Sequence, residues 1–265
     1  MSQRNRTYTS DLTDEQWQLI HPLLMPRGRR RGRPITIDMR AAFDAMLYVA
    51  RTGCQWRNLP TDYPPVGSVY YHFRKWALDG TWQQVNQRLR QQERQRQERD
   101  AEPTAGIVDS QSVKTTEAGG ESGYDAGKKV KGRKRHIVVD TIGNLLEVVV
   151  HAANIQDRDG AKLVFNKLAD STKVALQRIW ADGGYRGALL DWVHDNLAIV
   201  LAIVERDPAL KYFQVLPRRW VVERTFAWLG RYRRLSKDYE HCTQSSEGMI
   251  YLASIHTMVK RLAPA

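Results

Sequence analysis

The sequence predicts a mixed α/β domain preceded by a smaller helical module of helix-turn-helix-like type. The opening stretch reads as short amphipathic helices separated by turns, residues 83–103 are dense in charge and poor in core-forming side chains, and from Thr104 onward short apolar runs alternate with turns and helical segments. These features divide the chain into a helical module over 1–82, a charged linker or helix over 83–103, and an α/β domain over 104–265.

In the helical module, Thr13 caps a helix carrying Trp17, Ile20 and Leu24, with Gln16 placed as in a capping box and Pro26 ending the helix. A second helix over about 36–51 carries the apolar stripe Met39, Phe43, Met46, Leu47 and Ala50. After the turn-rich LPTDYPPVGS, a third helix begins near Ser68 and carries Tyr70, Tyr71, Phe73, Arg74, Lys75 and Trp76, in the manner of a DNA-reading helix. The competing view is a helical cap in which Trp17, Trp56, Trp76 and Trp82 only fill a core. The run 83–100, QQVNQRLRQQERQRQERD, reads as a solvated helix or linker at a domain boundary.

In the α/β part, strands are expected over 105–109 and 176–181, with a hairpin of 136–139 and 145–150 around Thr141-Ile142-Gly143-Asn144. The run 197–204 is apolar at nearly every position, as in a strand covered on both faces or a buried helix. Residues 158–169 read as a crossover helix and 220–229 as a further helix. The sequence contains no internal repeat, dinucleotide-binding glycine fingerprint or phosphate-loop motif.

With 265 residues, 42% hydrophobic and 26% charged, the chain can bury a substantial core, which excludes a disordered tail or a disulfide miniprotein. Lys and Arg number 41 against 29 Asp and Glu, a net charge of +12 that favours a polyanion such as nucleic acid over an acidic membrane surface. Cys54 and Cys242 belong to no paired motif, so neither structural zinc nor a disulfide framework has support, and a reducing cytoplasm is expected. The N-terminal residues lack the apolar segment of a signal peptide, and no apolar run is long enough to span a bilayer.

Three acids stand out. Asp109 ends an apolar strand in TAGIVDSQSVK, and Asp182 does the same in LQRIWADGGY, where Gly183 and Gly184 permit a sharp change of direction. Adjacent parallel strands would set the two side by side. Glu223 lies on the 220–229 helix, with Trp220, Phe226 and Ala227 expected to anchor it. Two Asp and one Glu can hold two divalent cations, Mg²⁺ with Mn²⁺ as a substitute, at which a phosphodiester is attacked in line. The plainer roles are a turn cap for Asp109, hydrogen bonding to the glycines for Asp182, and pairing with Arg219 or Arg224 for Glu223. Asp140, His136, His151 and Asn154 are weaker candidates; Asp140 reads first as a turn cap.

Basic residues form three stretches suited to phosphate contact: Arg27, Arg29, Arg30, Arg31 and Arg33; Lys128, Lys129, Lys131, Arg133, Lys134 and Arg135, read as a loop; and 218–237, including Arg219, Arg231 and Arg234. Arg74 and Lys75 add to these on the third helix. In the last stretch Phe226 and Trp228 read as core and Tyr232 as the exposed ring available for stacking.

RTGCQWRNLP, IVDSQSVKT, ADGGYRG and RRWVVERTFAWLGRYRRLSKDYE closely resemble bacterial insertion-sequence transposases of the DDE type, and the likeness runs from LTDEQWQLI to YLASIHTMVKRL. The resemblance implies a ribonuclease-H-like catalytic core behind a DNA-binding helical region, with Asp109, Asp182 and Glu223 as the metal-binding catalytic triad. It further implies double-stranded DNA partners (terminal inverted repeats and target DNA), a homodimer or higher oligomer on DNA, and a cytoplasmic, nucleoid-associated location. Water would first cut at an element end, and the freed 3′-hydroxyl would then attack target DNA with no covalent protein–DNA intermediate. In the family's C-terminal motif Arg219 and Glu223 fit, whereas Leu216 takes the usual tyrosine position and Gly230 the lysine position; Arg231 or Arg234 would supply the missing charge. The alternatives are a metal-dependent DNA endonuclease without strand transfer, and a catalytically inactive sequence-specific DNA-binding protein.

Overall fold

The computed structural model describes residues 7–25, 36–205 and 218–264. Helix α1 (Asp14–Leu24) opens on the expected capping box: Thr13 Oγ1 accepts from the Gln16 N–H, and Gln16 Oε1 accepts from the Thr13 N–H. Helix α2 (Met39–Thr52) is capped by the Asp38 carboxylate and ended by Gly53 at φ 74°, and its whole predicted stripe is buried. Residues 53–65, with one 3₁₀ turn at Trp56–Asn58, lead to α3 (Val66–Leu78). This connection is longer than the three- or four-residue turn of a compact helix-turn-helix.

Helix α4 (Thr81–Arg96) corrects the expectation of a solvated segment. Trp82 is fully buried, donates its indole N–H to the Phe73 carbonyl at 3.2 Å, and meets Trp76 edge-on with ring centroids 5.1 Å apart. Further along α4, Val85, Leu89, Asn86, Arg90, Glu93 and Arg94 are all buried. The polar ones find partners inside the protein: Asn86 donates to the Leu145 carbonyl and accepts from Ser254, Arg94 pairs with Asp140, and Arg90 pairs with Glu102 through Nη2, while its Nε and Nη1 are buried without an acceptor. Only the opposite face of α4 meets solvent.

The sheet comprises β1 (Ala105–Lys114), β2 (Gly123–Asp125), β3 (Val130–Asp140), β4 (Leu145–Ala152), β5 (Arg178–Ala181) and β6 (Val200–Ile203). Its order is β3-β1-β5-β6, with β2 and β4 both paired to β3. β1 is antiparallel to β3, with Asp109 opposite Ile137, and parallel to β5, with Ile107 opposite Trp180. α5 (Asp157–Lys167), α6 (Asp170–Ala175) and α7 (Leu189–Leu197) lie among the elements after β4; Val164, Phe165 and Val193 from them share one core with Val108, Val138 and Ile179 of the strands. The other core joins Ile107, Ile137, Val139 and Val148 to α4, α8 (Trp220–Leu229) and α9 (Thr243–Leu262). A mixed sheet with helices on both faces, preceded by a helical region, is the ribonuclease-H-like arrangement the resemblance implied.

Some boundaries differ from the sequence reading. β1 and β3 are longer than expected, so residues 130–135 belong to a strand rather than a loop. The apolar run 197–204 is split: it ends α7 at Leu197, turns at left-handed Ala198 (φ 54°), and becomes a strand only from Val200. No helix among the described residues is long and apolar enough to cross a membrane.

The β3–β4 turn is organised by Asp140, which is fully buried. Its Oδ1 accepts from the Ile142 and Asn144 N–H groups at 3.0 and 2.9 Å, and its Oδ2 pairs with Arg94 at 3.1 Å. These bonds realise the turn-cap reading and leave no role for Asp140 as an extra metal contact. Removing one partner of a buried ion pair strands the other charge. Asp140→Ala is therefore expected to lower the unfolding free energy by about 3 kcal/mol, read as a fall in the urea midpoint.

Candidate active site

Side chains two apart on a strand share a face, and parallel pairing keeps partners in step. Continuing the β1–β5 register two residues past Ile107 and Trp180 brings Asp109 beside Asp182, on the sheet face that carries α8. Asp182 stands just beyond β5 and accepts the Gly184 N–H at 2.8 Å. A Cβ on Gly184 would lie 3.0 Å from that carboxylate oxygen, tight enough to disturb the turn.

Helix α8 is held by Val221, Val222, Thr225 and Leu229, all buried, rather than by Trp220, which is 42% exposed, or Ala227, which is also exposed. Thr225 Oγ1 donates to the Gly143 carbonyl at 3.0 Å and Arg224 to the Ile142 carbonyl at 2.9 Å, which fastens α8 to the β3–β4 turn. Glu223 projects from the exposed side of this helix.

Arg219, immediately before α8, brings the three acids to one point. Its Nη2 lies 3.9 Å from Asp109, 3.6 Å from Asp182 and 3.6 Å from Glu223. Burial pushes the Asp109 carboxyl up to about 6 and the Asp182 charge adds to the shift, while the Ser110 N–H and Arg219 oppose it. Among the described residues, no three His, Cys, Asp or Glu side chains are arranged to hold a metal ion as they stand. A guanidinium, rather than a preformed cage, balances the acids.

Beneath the acids lies a polar interior that the sequence reading did not assign. Ser110 donates to Asp157 at 2.9 Å, and Lys134 donates to Asp157 at 3.0 Å and to the Ile155 carbonyl. Burial alone would raise the Asp157 carboxyl, but the Lys134 and Ser110 bonds hold it below the usual range. Beside this group, His151 Nδ1–H donates to its neighbour's carbonyl, Ala152 O, which leaves His151 Nε2 to accept from His136 Nδ1–H and His136 Nε2 to accept from the Tyr185 hydroxyl. Burial, reinforced by His151, pushes His136 down to about 3, so both rings are neutral and their tautomers are set by the chain of bonds. Tyr185 ends the Gly183–Tyr185 3₁₀ turn, and the chain thereby pins the Asp182 loop to β3 and β4. A Cβ on Gly160 would come within 2.5 Å of the His136 ring, so only glycine fits there. The signal for these residues is strand alternation: Lys134 and His136 share one face of β3, opposite Ser112 and Ser110 of β1.

The basic residues divide sharply. Arg27, Arg29, Arg30, Arg31 and Arg33, like Leu216, lie outside the described residues. Lys128, Lys129, Lys131 and Arg231 are exposed. Arg133, Lys134 and Arg135 are not a phosphate-facing loop, because they are buried in β3. Arg133 pairs with Asp238 and donates to the Glu121, Glu240 and His241 carbonyls, and Arg135 donates to those of Leu235 and Lys237. Arg234 is likewise buried and paired with Glu240 at 2.8 Å. Arg74 reaches the Cys242 sulfur and Lys75 pairs with Asp79. Tyr232, expected to be exposed, is buried with its hydroxyl at His256 and Thr257, and the exposed rings among the described residues are Tyr71, Tyr124 and Trp220.

Two family models match the chain. Residues 12–86 match one described as "Putative transposase of IS4/5 family (DUF4096)", and residues 100–258 match the transposase DDE domain. The chain is 33% identical over 117 residues to the insertion element IS402 uncharacterized 16.2 kDa protein of Burkholderia cepacia, covering 42% of this chain and 78% of that protein. It is 37% identical over 65 residues to the uncharacterized protein y4sN of Sinorhizobium fredii (strain NBRC 101917 / NGR234), covering 23% of this chain and 51% of that protein. No solved structure matches.

The raised Asp109 carboxyl has a signed consequence for stability. Its folded value, about 6, lies above the ordinary carboxylate value of about 3.9, so the folded state holds the proton more tightly and this residue's contribution falls as pH rises between the two. Chemical denaturation across that range, in chelator, is expected to show wild type losing stability relative to Asp109→Asn as pH rises, with the asparagine variant the more stable at neutral pH.

Proposed function

Because the chain belongs to the DDE-domain transposases of bacterial insertion sequences, we propose that it cuts insertion-sequence ends and joins the resulting 3′-hydroxyls to target DNA, with Asp109, Asp182 and Glu223 as the catalytic triad. The observation that carries this reading is the convergence of acids from β1, the loop after β5 and α8 on the single guanidinium of Arg219. A monovalent cation already sits where three carboxylates meet. The donors are all oxygen, as Mg²⁺ or Mn²⁺ requires, and they would hold such ions once Arg219 turns away. When bound, the metal supplies the charge that activates water or a 3′-hydroxyl and stabilises the leaving oxygen.

The chain's own residues have distinct tasks. Asp109, in the most enclosed position, and Asp182 beside it set the floor on which the phosphate is attacked. Glu223 closes the site from the helix side and is the acid most open to solvent, at 58% side-chain exposure. Arg219, released from the carboxylates, is placed to meet a phosphate oxygen, and exposed Arg231, just past the C-terminal end of α8, adds positive charge at that end of the helix. The Tyr185–His136–His151 chain keeps the Asp182 loop in register while the rest of the site rearranges.

Duplex DNA is the substrate of this reading, bound by the helical region and by exposed Lys128, Lys129, Lys131 and Arg231. Two ends are brought together by a homodimer or larger assembly, and the protein is nucleoid-associated through that binding. Asp109→Asn, Asp182→Asn and Glu223→Gln are each expected to lower metal-dependent end cleavage and joining by about 1,000-fold or more while leaving DNA binding in chelator within about threefold. A product-resolved assay on supercoiled DNA carrying the element's flanks measures both steps; full joining by the variants would remove the triad from the mechanism. Mass photometry of the protein with paired end duplexes is expected to show complexes of two or more protomers, and coupled joining by monomers alone would contradict the assembly.

A further inference from the structure

A groove of about 1150 Å³ runs between the 3₁₀ turn and first residues of α3 on one side and the end of β1 with residues 115–118 on the other. Arg57, Lys114, Lys131 and Lys237 line it, all four are exposed, and none is ion-paired with a carboxylate among the described residues. Glu117 is the one acid in the lining. Tyr70 and Tyr239, both partly buried, give the groove an apolar floor. Other exposed lysines, such as Lys75 with Asp79 and Lys173 with Asp170, are neutralised by a local carboxylate. Arg234 also lines the groove but is paired with Glu240; the four exposed cations gathered around one acid repel each other and focus a positive potential that a polyanion relieves.

The groove is also in line with the active site. Asp109 and Lys114 lie on the same strand, five residues apart, which is about 17 Å at the rise of a β-strand; alternation turns the Lys114 side chain to the other face, and Lys131, an even number of residues along β3 from the Ile137 that pairs with Asp109, is the lining cation on the Asp109 face. Successive phosphates of one strand in duplex DNA advance about 3.4 Å along the helix axis, so that distance corresponds to about five nucleotides. We propose that the groove binds the phosphodiester backbone of duplex DNA about five nucleotides from the phosphate held at Asp109, with the cations on phosphates and the two tyrosines against the sugars. This proposal rests on the transposase reading for its register but on the groove's own charge for its ligand.

The test is the salt dependence of binding to a short fluorescent duplex of arbitrary sequence, using the full chain in chelator. Each phosphate neutralised contributes about 0.9 to the slope of log affinity against log salt. The double variant Lys114→Gln/Lys237→Gln is expected to flatten that slope by about 2, and Arg57→Gln/Lys131→Gln, which changes two other lining cations, by a similar amount. Lys162→Gln/Lys173→Gln, on α5 and α6, is expected to leave the slope unchanged. Thermal melting checks that each variant is folded, and the two groove variants guard against one being lost. An unchanged slope in the folded groove variants, an equal flattening in the α5/α6 variant, or no binding by wild type would overturn the proposal. Groove-dependent binding by a wild-type protein that cleaves nothing would end the catalytic reading and leave the groove standing; cleavage with an unchanged slope in the groove variants would do the reverse.

Discussion

The buried carboxylate of Asp140 is the point from which the candidate site is held. Facing inward, it gathers the Ile142 and Asn144 N–H groups and the Arg94 guanidinium. A turn drawn inward in this way offers the carbonyls of Ile142 and Gly143 to Arg224 and Thr225 of α8. Gly143, at φ 89°, meets a geometric need, since a Cβ there would come within 3.0 Å of both Thr225 and Trp228. Arg219 and Glu223 take their places only because α8 is fastened there. A charge remote from the chemistry thereby sets the position of one member of the acidic triad.

The same logic explains why β3 is so basic and yet so little exposed. Both of its faces are covered: Arg133 and Arg135 reach the backbone carbonyls of the segment before α9, while Lys134 and His136 lie under α5 and the Asp182 loop. Desolvation is substantial, enough to bring Arg135 down to about 10. Several carbonyl acceptors per guanidinium offset it. These arginines act as rivets between the sheet and the C-terminal segment, and the positive charge left at the surface comes from other residues, such as the exposed Lys129 and Lys131.

Conformational preorganisation is uneven across the site. The Asp182 loop is tied by a three-member hydrogen-bond chain of neutral groups, in which each tautomer is dictated by the next acceptor. The Arg219 guanidinium makes three longer contacts of 3.6–3.9 Å with the acids. An arrangement with a rigid floor and a loosely held cation above it suits a site in which a stronger counter-charge is to replace the guanidinium.

Local signals were legible wherever neighbouring residues decide the outcome. The capping box at Thr13 and Gln16, the α2 stripe, the 220–229 helix and the presence of strands leading into Asp109 and Asp182 follow from short-range hydrogen bonding and periodicity, whereas the extension of β1 past Asp109 to Lys114 does not. The three acids were legible as a set through the motifs around them, but their shared contact with Arg219 was not, because it joins a strand, a loop and a helix far apart in the chain. Polar residues misled for the same reason: Arg90 and Arg94 on α4, and Arg133 and Arg135 on β3, look solvent-bound until distant carboxylates and carbonyls are found beside them. The sequence by itself determined the helical entry, the strand that delivers each aspartate and the chemistry of the donors. Tertiary structure alone decided which charges are spent inside and which remain free for a ligand, since burial and pairing are properties of the packed chain.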